Sequence, residues 1–489
     1  MKKIYAIGIA FLSLFSFSCS EWMDIRPSTE VEADLMFTNE DGFKSALTGV
    51  YARMIGENLY GNQLTFGLLE ELAQRYDAGA RYSTLTSNNR TLFYQYSSEV
   101  EIGNIGATKT RLSNIWNAMY TDIVNLNSLL EHLEENGREV IQTEGLFDII
   151  KGEALGLRAF HYFDLLRMWG PADMANNGSQ PTVPFRTRVG REQIAPMSAD
   201  SLVIVIEADL LQADSLLRND PCNWDIHAND IEFLNYRQFR MNRWAVRALM
   251  ARFYLYANQP DLARQYAKDV IEHSGRNLVT NMSSDHAMFD ESLFGLYYAN
   301  MQDDYQSYFV TPIDNSSQTQ RLITEGNLQF TYQTTSIGSN DIRGRSGQGF
   351  VRDNGVAMSR KYLCIENDSY DLRIPLIRLS EMYYIMAEVT TGSESASYYN
   401  AVRNARGISR TNNVSSFDDE ATKIDALQDE YCKDFFGEGQ YFFFLKRHQV
   451  ASLDIWFNNI ENTFPMLERY YEFEIPDAER EYGYVPDVN

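Results

Sequence analysis

Two short stretches of the chain place aromatic rings and planar polar side chains at close spacing. The first, "RYDAGARYSTLTSNNRTLFYQY", holds Tyr76, Asp77, Arg81, Tyr82, Tyr94 and Tyr96. The second, "LYYANMQDDYQSYF", holds Tyr297, Tyr298, Asp304, Tyr305 and Tyr308. This combination suits non-covalent recognition of a sugar, which presents C–H groups on its faces and hydroxyls around its rim. Rings stack on the face, and Asp, Asn, Gln and Arg hydrogen-bond the rim. Alternating tyrosines in short strands also serve simply to cover a core, so each ring carries two readings. Trp224, in the Pro-flanked "PCNWDIH", is a further candidate. Trp116, Trp169 and Trp244 stand at helical spacing and read as core, as does "YFFFLKR" at 441–447.

Bond-making chemistry finds less support. The chain contains no H-E-x-x-H, G-x-S-x-G, P-loop or G-x-G-x-x-G, and "GRSGQG" at 344–349 has the wrong spacing for a phosphate cradle. His161 and His448 lie in aromatic helical segments and read as packed or capping residues. With 67 acidic residues, a glycosidase-like carboxylate pair has no diagnostic value. No catalytic residue and no cofactor is expected, with a structural Ca2+ left open. Cys19, Cys222, Cys364 and Cys432 form no C-x-x-C and no metal-type spacing with His, so no metal site is expected.

Cys19 could be a core thiol, half of a disulfide, a metal ligand or the start of the mature chain. The residues before it favour the last. Lys2 and Lys3 precede an apolar run of 14 residues, Ile4 to Phe17, broken only by Gly8, Ser13 and Ser16. That run is short for a membrane span and right for a secretory signal. Ending at Ser18-Cys19, it looks like a bacterial lipoprotein signal, with Ser16 where Leu is usual and a bulky Phe17. Cleavage would leave Cys19 to be acylated, and several chains would anchor the protein stably. The alternative is a secreted chain cut near Ser18.

The net charge is −24, from 43 basic and 67 acidic residues, and about −26 without Lys2 and Lys3. Such a surface repels nucleic acid and anionic lipid headgroups. Neutral or cationic ligands remain open. The length allows roughly two to four structural units.

The elements that must carry these groups are mostly helical. "DGFKSALTGVYARMI" sets Phe43, Leu47, Val50, Tyr51 and Met54 on one stripe, with Thr38 as the expected N-cap. "LSNIWNAMYTDIVNLNSLLEHLEE" repeats the pattern and stops near Asn136-Gly137, and a third helix runs to Trp169 before Gly170-Pro171. In "RWAVRALMARFYLYANQPDLARQYAKDVIE", small residues at Ala251 and Ala263 flank a Pro-Asp turn. This is the helix–turn–helix pattern of tetratricopeptide (TPR) repeats. Helix pairs are expected around 40–56, 109–170, 239–274, 374–407 and 422–447. Residues 172–197 are Pro-rich with little periodicity, and 310–360 are rich in Gly, Ser, Thr and Asn. A loop-rich stretch as long as 310–360 usually carries function or faces a ligand in a compact domain. "SLFGLYYAN" alternates as a short strand. The expected class is mainly α: TPR-like helix pairs in an α-α superhelix, with loop-rich insertions and a few short β-hairpins.

A series of strings, in order, resembles the SusD/RagB family of outer-membrane nutrient-uptake lipoproteins. They are "WMDIRPSTE", "DGFKSALTGVYARM", "IWNAMYTDIVNLNSLLEHL", "KGEALGLRAFHYFDLLRMWGP", "NDIRG", "SRKYL", "DLRIPLIRLSEMYYIMAEV", "YNAVRNARGI" and "FFGEGQYFFFLKR". The tail "EIPDAEREYGYVPDVN" departs from the family pattern. The resemblance implies a signal peptide at 1–18, lipidation at Cys19 and one SusD-like domain over 19–489. It implies a lipid-anchored outer-membrane protein, facing the cell surface, that acts as a lid on a SusC-type TonB-dependent transporter. It implies that insertions around 74–100 and 275–360 form a ligand face over the helix pairs. Its ligand would be an oligosaccharide, or a peptide in the RagB branch, and no bond would be broken. A secreted glycoside hydrolase is the remaining alternative.

Overall fold

The computed structural model describes residues 35–76, 105–222, 224, 230–311, 313, 320–363, 372–457, 460–466 and 470–483. Helices form where apolar periodicity demands them. α1 (Glu40–Met54) buries Phe43, Leu47, Val50, Tyr51 and Met54. Its N-cap is Asn39, not the expected Thr38: Asn39 Oδ1 accepts from Gly42 N at 3.0 Å, while Thr38 Oγ1 donates back to the Leu35 carbonyl. Both residue types cap well, and the backbone position decides between them. α2 is a single short turn (Leu68–Leu72), and α3 spans Ile105–His132. At Asn136-Gly137 the chain does not stop but passes through a wide π-turn (Leu133–Gly137). α4 (Leu146–Trp169) is buried on nearly every side and ends before Gly170, making it the central helix. Gly152 and Gly156, one turn apart, admit Leu217 and Met241 to distances that a Cβ would block.

The stretch after the Pro-rich segment forms α5 (Ala199–Leu216), a helix that none of the expected helix pairs includes. Ser198 caps it, and Leu202, Ile206, Leu210 and Ala213 are buried against α4. α6 (Arg243–Tyr256) and α7 (Pro260–His273) form the expected TPR-like pair. Ala251, Ala263 and Ala267 are fully buried between them, Pro260 opens α7, and Tyr254 stacks on Tyr266 at 5.6 Å. α8 (Met301–Tyr305) and α9 (Glu325–Tyr332) are short. α10 (Leu379–Val389) pairs with α11 (Gly392–Ala405), and α12 (Glu420–Asp434) with α13 (Gln440–Arg447). Neighbours pack in the series α3–α4–α5–α6–α7–α10–α11, a superhelical array.

The strands are short and antiparallel. β1 (Pro181–Pro184) pairs with β2 (Pro196–Ser198), and β3 (Ser292–Tyr297) pairs with a later strand, Arg373–Arg378. The stretch expected to be loop around 310–360 instead holds α9 and a three-stranded sheet of Leu322–Thr324, Val356–Ser359 and Phe350–Asp353. Its turn at Asn354-Gly355 takes positive φ at both residues, the hairpin signal carried by an Asn-Gly pair.

The most recognisable strings turn out to be ties between helices. Arg158 of α4 grips Asp209 of α5 through two hydrogen bonds of 2.7 and 2.8 Å, and also reaches Asn127 of α3. Arg252 of α6 does the same with Glu381 of α10 at 2.6 Å. Around Asp434, four buried cations (Arg343, Lys361, Arg378, Arg406) interleave with five carboxylates (Glu291, Asp341, Glu430, Asp434, Glu438). Such charges survive burial only when paired and hydrogen-bonded.

Candidate ligand-binding site

After α1 the chain makes a tight loop whose residues Leu59 to Phe66 are all buried. Thr65 Oγ1 donates to the Tyr60 carbonyl at 3.0 Å and closes it. Phe66 then forms a floor of rings, with Tyr305, Phe309, Tyr308 and Tyr362 at centroid distances of 4.8, 5.0, 5.3 and 5.7 Å. The second Tyr-rich stretch therefore sits directly on the loop that precedes the first.

A group of polar side chains lies beside this floor. Glu71 of α2 is buried and accepts from Arg111 of α3 at 2.7 Å, and its other oxygen pairs with Arg321 at 2.9 Å. Gln63 Oε1 also accepts from Arg111, at 2.9 and 2.6 Å. Asn62 Nδ2 donates to the Tyr308 hydroxyl at 3.3 Å. The Arg321 guanidinium lies 5.2 Å from the Tyr308 ring and 5.4 Å from the Tyr76 ring, so it joins both Tyr-rich stretches. The adjacent Glu70 faces the other way and accepts from Gly439 N at 3.1 Å. Burial pushes its carboxyl up to about 7, against the pull of Arg75 and the turn amides.

The expected ligand residues divide into four groups. Tyr76 is buried, donates to the Phe66 carbonyl at 2.8 Å and meets Phe436 edge-on. Tyr305 is equally buried, within the ring floor, and donates to the Gly61 carbonyl. Both support the site from below. Tyr298 is half-buried: its hydroxyl bonds Asp304, and its ring meets Tyr305 edge-on at 5.6 Å. Burial and Asp304 raise its phenol above the usual range. Tyr297 is 53% exposed and turns to the opposite side, against Phe239 at 5.8 Å, because successive strand residues point to opposite faces. Asp77, Arg81, Tyr82, Tyr94 and Tyr96 lie outside the described residues, as does Cys19.

Trp224 is engaged through its indole N–H, which donates to the Ser274 carbonyl, and through its face, which Arg276 covers at 3.9 Å. His161 is wholly buried and His448 packs 4.4 Å from Phe444, as their helical settings suggested. Asn62, Gln63, Glu71, Arg111 and Arg321 were not legible as site residues. The one available signal was a Glu-Glu pair inside the apolar "LLEEL". Among the described residues no three His, Cys, Asp or Glu side chains are placed to hold a metal ion, and no helix is long and apolar enough to cross a membrane.

A superhelix of TPR-like pairs presenting an aromatic floor edged by polar groups defines a binding scaffold. Comparison with known proteins supplies its family. Residues 30–255 match a SusD-like family model described as starch-binding and associating with the outer membrane, and residues 256–481 match the SusD family. The chain belongs to the SusD/RagB family. It is 22% identical to SusD-like protein P25 of Formosa agariphila over 332 residues, 67% of this chain and 55% of that protein. It is 22% identical to a SusD-like protein of Bacteroides ovatus over 300 residues, 57% of this chain and 46% of the other. The chain thus spans about half the length of these curated relatives. A putative sugar binding protein from Bacteroides vulgatus superposes with a TM-score of 0.68 at 20% identity, covering 91% of this chain and 97% of that one. A SusD superfamily protein from Bacteroides thetaiotaomicron gives 0.66 at 20% identity, covering 91% and 98%. These structures share the fold.

Proposed function

We propose that this protein captures an oligosaccharide without cleaving it and passes it to a SusC-type TonB-dependent transporter in the outer membrane. In this reading residues 1–18 are a leader, Cys19 carries the lipid anchor, and the 19–489 domain faces the cell surface. The carrying observation is the end of β3. There Tyr298 stands half-exposed, its hydroxyl on Asp304 and its ring edge-on to Tyr305, which is part of the floor of rings around Phe66. A sugar face can stack on such a ring, with Asp304 beside it for its hydroxyls. Pre-formed aromatic contacts lose little side-chain entropy on binding.

Affinity electrophoresis of the purified protein in gels containing a panel of glycans tests this. Retardation without release of smaller sugars is expected. Product formation would replace the reading with a hydrolase, and binding to peptides alone would replace it with a RagB-type peptide carrier. For the anchor, palmitate label in cells should be lost in Cys19→Ala.

A further inference from the structure

Of the aromatic side chains that the structure describes, two stand exposed: Tyr236 at 45% and Tyr297 at 53%. Both belong to one small region. Tyr297 ends β3 and meets Phe239 edge-on at 5.8 Å. Tyr236 opens the tight turn Arg237–Phe239, and the Phe239 N–H donates back to the Tyr236 carbonyl at 2.9 Å. Phe239 stacks on the buried Phe289 at 5.1 Å, and the Arg373 guanidinium lies 4.9 Å from the Phe289 ring. Arg373 is also the cross-strand partner of Tyr297, so the two share a face of their sheet. Tyr297, Phe239, Phe289 and Arg373 therefore close a circuit with Phe289 as its floor. Gly295 makes room for that floor, since a Cβ there would stand 2.3 Å from the Phe289 ring. Asp285 accepts from Arg373 at 3.3 Å and holds the guanidinium in place.

The turn is fixed from behind. Arg237 is fully buried and bonds Glu153 of α4 and Asp220, the latter at 2.6 Å. Asn242 Nδ2 donates to the Arg237 carbonyl at 2.9 Å and to the Leu293 carbonyl of β3 at 2.8 Å, tying turn to strand. Tyr236 is held at a φ of +56°, an uncommon conformation for a residue with a ring. These ties set the rings in position before any ligand arrives.

We infer that Tyr297, Phe239 and Arg373 form a second glycan-contact platform, separate from Tyr298. The rings take the C–H face of a sugar and the guanidinium its hydroxyls. The surface is aromatic rather than broadly apolar: the exposed aliphatic side chains of the described residues, such as Ile204 and Leu211 of α5, lie on other elements. A protein partner asks for a wider apolar centre than two rings supply. Tyr297 and Tyr298 are consecutive and point to opposite faces of one strand end. A long glycan that reaches round this end meets both, which raises its avidity but not that of a short chain. The inference rests on the sugar-binding reading for its class of ligand.

The experiment runs native protein, Tyr297→Ala, Tyr297→Phe and Tyr298→Ala through affinity electrophoresis in starch, β-glucan, xylan, mannan and pectin. The polysaccharide that most retards native protein is the long probe, and a trisaccharide cut from it is the short one. Tyr297→Ala should hold the long probe about tenfold more weakly while binding the short one within about twofold of native. Its Tm should stay within about 2 °C of native, because the ring is exposed. Tyr297→Phe keeps the ring and should behave as native. Tyr298→Ala should lose the short probe. Native-like retention of Tyr297→Ala by the polysaccharide would overturn the inference, as would an equal loss on both probes, which would place Tyr297 in the Tyr298 site. Unchanged retention with lost co-purification of the SusC-type transporter would make this a protein-docking surface instead. Native protein retarded by no polysaccharide would end the sugar reading and the platform with it, whereas native protein retarded no more than Tyr297→Ala would end the platform alone.

Discussion

Replacing Asp434 with Asn tests whether the buried charge cluster is a structural keystone. The carboxylate is fully buried and accepts from Arg406 at 2.8 and 3.2 Å, from Arg343 at 3.2 Å and from Ser380 at 2.7 Å, with Arg378 paired at 3.0 Å. Burial alone would raise its pKa, but Arg406, Arg378 and Arg343 outweigh that and hold it well below the usual carboxylate range. Asn keeps the shape and removes the charge, leaving three guanidiniums around a neutral group. Breaking one partner of such a buried network costs about 3–5 kcal/mol. At an unfolding entropy of about 2.1 cal/mol/K per residue, some 470 residues give about 1 kcal/mol per degree, so Tm should fall by about 3–5 °C. The sign of the pH effect follows from the depressed pKa. The contribution is present above the unfolded carboxylate value near 3.9, and is lost as pH falls through the folded one. Native and variant should therefore differ at pH 7 and converge in strong acid. Circular dichroism melts at pH 7 and urea titrations at pH 7 and pH 3 measure this. A Tm within 1 °C of native at pH 7, or a gap that persists undiminished in acid, would refute the reasoning.

Glu70→Gln should flatten the pH dependence of stability between about 4.5 and 7. The raised Glu70 pKa contributes stability below the unfolded value that is lost as pH rises through about 7, a difference of about 3 kcal/mol that paired urea titrations at pH 5 and pH 7.5 would read. Tyr298→Ala should weaken glycan binding tenfold or more with a Tm change under 2 °C, whereas Tyr305→Ala, which empties part of the ring floor, should cost about 3–5 kcal/mol in denaturant titration. A Tyr298→Ala protein that binds normally would remove that ring from the site. Gly439→Ala should be strongly destabilising, since φ is +71° there and a Cβ would stand 2.4 Å from the Leu64 carbonyl oxygen; an unchanged urea midpoint would contradict this.

Much of the helical framework was legible because burial of one helix face leaves a repeating apolar stripe. Phe43, Leu47, Val50, Tyr51 and Met54 show it in α1, and the Ala251/Ala263 pair with Pro260 shows it in α6–α7. Elements with weaker patterning were not. α5 follows a Pro-rich stretch and carries the β-branched run Val203 to Ile206, and its buried face became clear only from α4 packed against it. The sheet inside 310–360 is built from strands of three and four residues, too short to show a period of two against Gly and Ser.

The sequence by itself determined composition, charge, helix periodicity and the ordered strings that mark the family. It also singled out the tyrosines. Tertiary structure alone decided what each tyrosine does. Tyr76 and Tyr305 are covered on all sides, Tyr298 is half-exposed, and Tyr297 turns away from its neighbour. A tyrosine suits a core and a sugar equally, because its ring is apolar and its hydroxyl needs one partner in either place. The Glu71–Arg111–Arg321 tie was hidden for a related reason. Its members lie 40 and 250 positions apart in a chain with 110 charged residues, and Coulomb attraction acts through space rather than along sequence.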